Sequence, residues 1–541
     1  MMGVKWWGNG GRRVGVIANS CFLNRVSLVG LVFGAGVAGV LAEVRLPNVF
    51  SDHAVLQRGR EVAVWGWGDA GEEVKVRVGE FGEVAGVANG DGEWRVKLPA
   101  MEAGGPYELK VSGAGNAVVV KDVLVGEVWV CSGQSNMEWS VNQSLNPEEE
   151  KAAANFPQIR HLKMPRQPSA VPVDDRETAW SVCSPETAGN FTAAGYYFGR
   201  EIHRELGVPV GLLNTSWGGT RIEPWVPPVG FGLVPELKAI SERVALADPA
   251  SKAHQKRMIP FIKQVEGWVE QAKTAVVAGE FPGALPGHPN ELKPLTEQGS
   301  AQQQPTTLFN GMVQPILGYS MRGVLWYQGE SNHGESDYAA KTEAQVLGWR
   351  KLWDNGEFPY YFVQIAPYQY GNEDPNILAR FWEQQASITG RVAKTGMVVI
   401  HDVGNLKDIH PKNKQAVGGR LARHALAKDY GKEGVVWSGP EFEKMEIDGG
   451  SVRVTFGHAG GGLETRDGKG PDWFEVLGKG TAWTKAEAVI EGKNVVVVRA
   501  DGVEKPVSVR CGWHKLAEPN LRNQEGLPVV PFRAGDQLEP D

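Results

Sequence analysis

A mixed α/β fold is predicted, with a central parallel sheet covered by helices on both faces and a β-sandwich on either side of it. Three observations predict it. From Val44 to about Val125, short alternating strand segments are broken by Gly and Asp; from Gly126 to about residue 430, apolar strands alternate with helical stretches; past Gly431 the short-strand rhythm returns. A chain of 541 residues also exceeds what one core fills, since single cores stop growing at roughly 250–300 residues. The expected domains are 43–125, 126–430 and 431–541. Composition narrows the partners. With 63 acidic against 56 basic residues, net charge -7, nothing draws the chain to nucleic acid or to an anionic membrane, and a neutral partner fits better. Apolar residues at 42 %, with 69 Gly and 33 Pro, describe a globular protein rich in strands and loops. Most of the 19 Trp are expected to fill core, although their flat faces also suit sugar rings.

The first 42 residues are expected to be a removable signal peptide. Lys5, Arg12, Arg13 and Arg25 precede an apolar run from Val26 to Leu41 that ends Val40-Leu41-Ala42. Cleavage after Ala42 would deliver the chain to the periplasm or the medium, and the Arg12-Arg13 pair hints at twin-arginine export. Of the four cysteines, Cys21 lies in this segment, and Cys131, Cys183 and Cys511 have no CxxC or Cys/His spacing for a metal or a disulfide framework.

Strands are predicted at 61–67, 73–78, 92–98 and 107–111, spaced as in a small sandwich. A strand through Val128-Trp-Val130 follows. A helix is predicted from Thr192 to Leu206, with Phe198, Ile202 and Leu206 on one stripe and Gly207 as its stop. Apolar strands at 210–214, 323–327, 360–366 and 397–401 alternate with helices such as 337–353, the pattern of a parallel sheet buried on both faces. Residues 227–305 are polar, helical in places and then Pro/Gln-rich, which predicts an insertion over one sheet edge. Strands at 452–456, 495–498 and 507–510 belong to the second sandwich.

The chemistry concentrates in four loops at one edge of the predicted sheet. Ser132-Gly-Gln-Ser-Asn-Met137 follows a strand, so Ser135 can expose its hydroxyl at the crevice where such sheets bind ligands. The loop differs from a G-x-S-x-G elbow, because Met137 stands at the second Gly. His410-Pro411 is expected to open a helix running through Leu426, with Pro411 at its first position. Asp408 or Asp402 is positioned to orient the imidazole, and Asp408 is equally suited to cap the helix. In Asn214-Thr-Ser-Trp-Gly-Gly-Thr-Arg221 the paired glycines free a backbone N–H to face an oxyanion. Trp326-Tyr-Gln-Gly-Glu-Ser-Asn332 offers Glu330 as another carboxylate for His410. Its Ser331 is a rival nucleophile with only His333 near it in sequence.

These blocks, with Leu308-Phe-Asn-Gly-Met312, Asp408-Ile-His-Pro-Lys-Asn-Lys414 and Asn520-Leu-Arg-Asn-Gln-Glu-Gly-Leu-Pro528, resemble the bacterial sialate O-acetylesterases. That family lies within the SGNH/GDSL hydrolase superfamily and is related to esterases that deacetylate xylan. The resemblance implies a three-layer SGNH-type domain and a serine esterase acting on O-acetyl carbohydrates, with Ser135 as nucleophile, His410 as base and no cofactor or metal. Its triad acid is left between Asp408 and Glu330, because the superfamily's usual Asp falls on Lys407. Its oxyanion hole combines the Ser135 N–H, Gly218 or Gly219, and one amide from Gln134, Gln328 or Asn332. Arg221, Glu223 and Trp225 are the candidate sugar contacts, Arg221 for a substrate carboxylate unless Glu223 neutralises it. An acetylxylan esterase and a non-catalytic carbohydrate-binding protein are the competing expectations. Oligomeric state is left open.

Overall fold

The computed structural model describes residues 43–540, so the expected signal peptide lies outside the described residues. Its frame is a parallel sheet in the order Thr395–Val398, Tyr360–Val363, Gly323–Tyr327, Ala117–Gly133, Val210–Asn214, Ile159–Lys163, closed by antiparallel Trp180–Val182. Successive residues of each strand feed opposite faces, as the pleat requires. Trp129, Cys131, Leu325, Tyr327, Tyr361 and Val363 pack with the Ala193–Leu206 and Lys414–Lys428 helices in one apolar cluster. Val128, Val130, Val324, Trp326, Tyr360 and Phe362 pack with the Tyr338–Trp353 and Ile377–Arg391 helices in another. Burial on both faces explains the unbroken apolar runs, and the result is the predicted three-layer arrangement.

The strand carrying Ser132 is longer than expected. It runs from Ala117 to Gly133, pairing first with the N-terminal Gly104–Ser112 strand and then entering the central sheet. Residues 125 and 126 both lie inside it. In the N-terminal region Glu73–Val78 and Glu93–Leu98 alternate exposed and buried residues, which puts Val74, Val76, Val78, Trp94, Val96 and Leu98 in the core. The C-terminal region stacks two four-stranded sheets, with Val452, Val454, Val496 and Val498 meeting Phe474, Val476 and Val509.

Local chemistry sets the helix ends. Thr192 accepts from Gly195 N–H, and Gly207 takes φ +65° to end the first long helix. One prediction fails here. The last helix begins at Lys414, not at His410-Pro411, because Asn413 Oδ1 accepts from Ala416 N–H at 3.0 Å and makes the better cap. Asp408 therefore caps no helix; its Oδ1 instead accepts from the His410 backbone N–H at 3.0 Å. The strands expected at 360–366 and 397–401 end at Val363 and Val398, so more backbone is available to the loops at the sheet edge. Within 227–305 the helices are Pro228–Leu233, Lys238–Ala247 and Lys252–Val277. The first lies against Tyr338–Trp353, where a Cβ on Gly230 would meet the Ala344 carbonyl at 2.3 Å. No helix among the described residues is long and apolar enough to cross a membrane.

Candidate active site

Parallel strands end at one edge, so the loops after Gly133, Asn214, Tyr327 and Val398 emerge together. The approach is tight. Gly133 has φ +137°, and a Cβ there would lie 2.2 Å from the Tyr327 carbonyl, so only glycine ends this strand beside its neighbour. Backbone bonds from Gln134 N–H to Tyr327 and from Trp217 N–H to Gly133 then fasten three of the loops to one another.

Ser135 and His410, 275 positions apart, meet: Ser135 Oγ lies 2.9 Å from His410 Nε2. The hydroxyl donates and Nε2 accepts, leaving the ring proton on Nδ1. Asp408 Oδ1 stands 3.4 Å from that Nδ1. The imidazole is stacked on Trp139, with ring centroids 4.7 Å apart and planes 13° apart. Burial lowers the His410 pKa from its ordinary 6.5, the Lys414 cation lowers it further, and Asp408 acts in the opposite direction.

The other two candidate acids are engaged elsewhere. Asp402 holds Arg420 with both oxygens, at 2.7 and 2.6 Å. Glu330 is buried, and its Oε1 accepts from Asn136 Nδ2 at 2.5 Å. Ser331 has no base within reach, since His333 spends Nδ1 on the Glu330 carbonyl and Nε2 on Glu373, each at 2.7 Å.

The expected oxyanion donors divide in the same way. Gln328 Nε2 donates to Asn332 Oδ1 at 2.7 Å, Gln134 Oε1 at 3.1 Å and the Thr220 carbonyl at 3.2 Å, so no donor is left over. Asn332 Nδ2 is spent on Glu223 and Glu335. Gly218 N–H donates to Glu138 Oε2 at 2.8 Å. All three are structural bonds, contrary to the expectation. Among the described residues, Ser135 N–H, Gly219 N–H and Gln134 Nε2 have no protein acceptor. The Gln134 amide is held by the Gly329 and Ser331 N–H groups on its oxygen, which leaves its nitrogen as the outward end.

The sugar-contact expectations also change. Trp225 is fully buried and donates to Thr220 Oγ1 at 3.1 Å, so it is core. Glu223 is buried between Arg221 and Lys341, each at 2.9 Å. Arg221 bonds both Glu223 and Glu335, and is neutralised where it stands. A different pair of cations lies beside the nucleophile: Glu138 Oε1 is 3.9 Å from Lys163 and 3.5 Å from Arg166, whose side chains are 47 % and 55 % exposed. Arg166 also sits 5.9 Å from the Trp217 ring centroid, and a Cβ on Gly218 would touch Ser135 Cβ at 3.2 Å. Sequence reasoning missed Trp139, Glu138, Asn136 and Lys414. All four lie within four residues of Ser135 or His410, and that closeness was the available signal.

Comparisons with known proteins agree with this geometry. Residues 294–427 match a family described as carbohydrate esterase, sialic acid-specific acetylesterase, a stretch that contains Glu330 and His410. Sialate O-acetylesterase of Rattus norvegicus is 29 % identical over 452 residues, 76 % of this chain and 78 % of the rat protein. The Homo sapiens enzyme is 27 % identical over 440 residues, 74 % of either chain. The crystal structure of a carbohydrate acetylesterase from Xanthomonas citri superposes with a TM-score of 0.76 at 33 % identity, covering 92 % of this chain and 100 % of that one. The chain is a carboxylic ester hydrolase and belongs to the sialate O-acetylesterase family of carbohydrate esterases.

Proposed function

We propose that the chain removes acetyl groups from carbohydrate hydroxyls through an acetyl-enzyme on Ser135, and that its preferred sugar carries a carboxylate, as a sialic acid does. The 2.9 Å contact between Ser135 Oγ and His410 Nε2 carries the reading. Ser135 Oγ attacks the acetyl carbonyl as His410 takes its proton. The developing oxyanion is met by the Ser135 and Gly219 N–H groups and Gln134 Nε2. His410 then protonates the departing sugar oxygen, and water, deprotonated by the same imidazole, releases acetate and restores the serine. Asp408 serves as the orienting acid, because its oxygen is the carboxylate nearest Nδ1.

Two substitutions separate Asp408 from Asp402. Asp408→Ala is expected to lower kcat about 10²-fold, less than loss of the base itself. Asp402→Asn breaks a half-buried ion pair, and is expected to lower the melting temperature while the acid limb of the pH–rate profile stays in place. An acid limb that moved in Asp402→Asn and not in Asp408→Ala would reverse the assignment.

The preference for an anionic sugar rests on charge beside the nucleophile. Lys163 and Arg166 share a single partner, Glu138, which leaves one exposed positive charge near Gly218 and Ser135. The rat and human relatives are named for sialate, which fits an anionic substrate. Acetate release from O-acetyl sialic acid, acetylated xylan and an aryl acetate tests this. Arg166→Ala is expected to raise KM for the sialic acid about tenfold, one charge-assisted hydrogen bond, and to act less on the two uncharged esters. Equal effects on all three would leave the neutral xylan substrate as the better reading. Export is part of the proposal, motivated by the basic and then apolar run before Ala42; mass spectrometry of the secreted protein should find Glu43 at its N-terminus.

A further inference from the structure

Beneath the Ser135–His410 pair lies a chain of buried polar side chains that the acyl-transfer steps do not use. Asn136 follows the nucleophile and is 1 % exposed. Its Nδ2 donates to Glu330 Oε1 at 2.5 Å and to the Ile409 carbonyl, immediately before His410, at 3.1 Å. Its Oδ1 accepts from the Lys414 ammonium, which is wholly buried. One amide thus spans the nucleophile turn and the loop of the base. Opposite charges at its two ends give it a single orientation, because the flipped amide would set NH2 against an ammonium and oxygen against a carboxylate.

The placement of Lys414 is costly on two counts. It is the first residue of the Lys414–Lys428 helix, where the helix dipole disfavours a cation. It is also sealed from water, with Tyr327 and Trp139 ring centroids 4.7 and 5.7 Å from Nζ. Burial pulls its pKa down to about 7, against the opposing pull of Glu330 and Asp408. Burial likewise raises the Glu330 carboxyl, whose Oε2 has no hydrogen-bond partner. Local choices that lose stability at such a point are expected where function needs them.

We propose that Lys414 and Glu330 are a positioning pair, clamping the Asn136 amide so that the Ser135 turn and the His410 loop stay in register for proton transfer. Glu330 on this account orients the amide and is not a second acid for His410. The clamp rests on the reading of Ser135 and His410 as nucleophile and base. That reading stands or falls separately, on whether Ser135→Ala abolishes turnover of the same aryl acetate.

The test compares kcat, KM and pH–rate profiles of the full chain with Lys414→Met, Lys414→Gln, Glu330→Gln and the double variant Lys414→Met/Glu330→Gln. Lys414→Met is expected to lose about 10²-fold in kcat with KM little changed, the effect of a small misplacement of reacting groups. Lys414→Gln keeps a donor for Asn136 Oδ1 and should recover most of kcat. The charged groups facing His410 are Lys414 and Asp408. Both Lys414 variants remove the cation that opposes His410 protonation, so both should move the acid limb to higher pH. The double variant removes both buried charges; it should melt at or above wild type and lose no more kcat than Lys414→Met alone. Wild-type kcat in Lys414→Met, an unmoved acid limb in both Lys414 variants, or strictly multiplicative losses in the double variant would overturn the clamp. Should Lys414→Met fail to fold, Lys414→Gln and the double variant still decide the matter.

Discussion

Replacing Ser135 with alanine is expected to cut acetate release at least about 10³-fold while the protein stays folded. Oγ is the atom that forms the acetyl-enzyme, and no neighbour is placed to substitute for it. Ser331 has no base, because both nitrogens of His333 are bonded elsewhere. Water attacking directly would retain the oxyanion donors and the substrate pocket, which is why some rate above the uncatalysed one should survive. Steady-state turnover of an aryl acetate, with a thermal melt to establish folding, measures this. A fully active Ser135→Ala enzyme would remove the nucleophile from the mechanism and the mechanism with it.

His410→Ala should cost about as much, and Ser135→Ala/His410→Ala no more than either single change, because hydroxyl and imidazole act as one unit. The pH dependence gives a second signature of the same residue. His410 must be neutral to accept the serine proton, so the rate rises with pH through its pKa. Burial and Lys414 push that pKa below the ordinary 6.5, and the acid limb is therefore expected on the acid side of that value. Asp408 acts in the raising direction, so Asp408→Ala should move the limb to lower pH even as kcat falls. A limb well above 6.5, or one that moved up in Asp408→Ala, would contradict the assigned geometry.

Much of the architecture could be read in advance because its causes are short-ranged. The five-residue apolar runs at 210–214 and 323–327 announce strands covered on both faces, and Thr192 with Gly207 marks the ends of a helix. The error at His410-Pro411 has the same scale. A proline at the start of a helix and an asparagine two residues later are both good signals, and Asn413 prevailed because its side chain reaches the Ala416 N–H. Ser135 and His410 were also visible, each in a loop just past a strand end.

The donors and acids around them were not visible, and the reason is capacity. An amide side chain has few hydrogen bonds to give, and Gln328 and Asn332 exhaust theirs on Gln134, Thr220, Glu223 and Glu335, which come from three other loops. Asp402 is likewise consumed by Arg420, eighteen residues further along. Residue type and near-neighbour spacing were enough to name the strands, the nucleophile and the base, since hydrophobic period and capping act over a few positions. Which carboxylate serves the imidazole, which nitrogen faces the oxyanion and which cation faces the substrate were settled when distant loops met, because a polar group is available for chemistry only after the fold has distributed its hydrogen bonds.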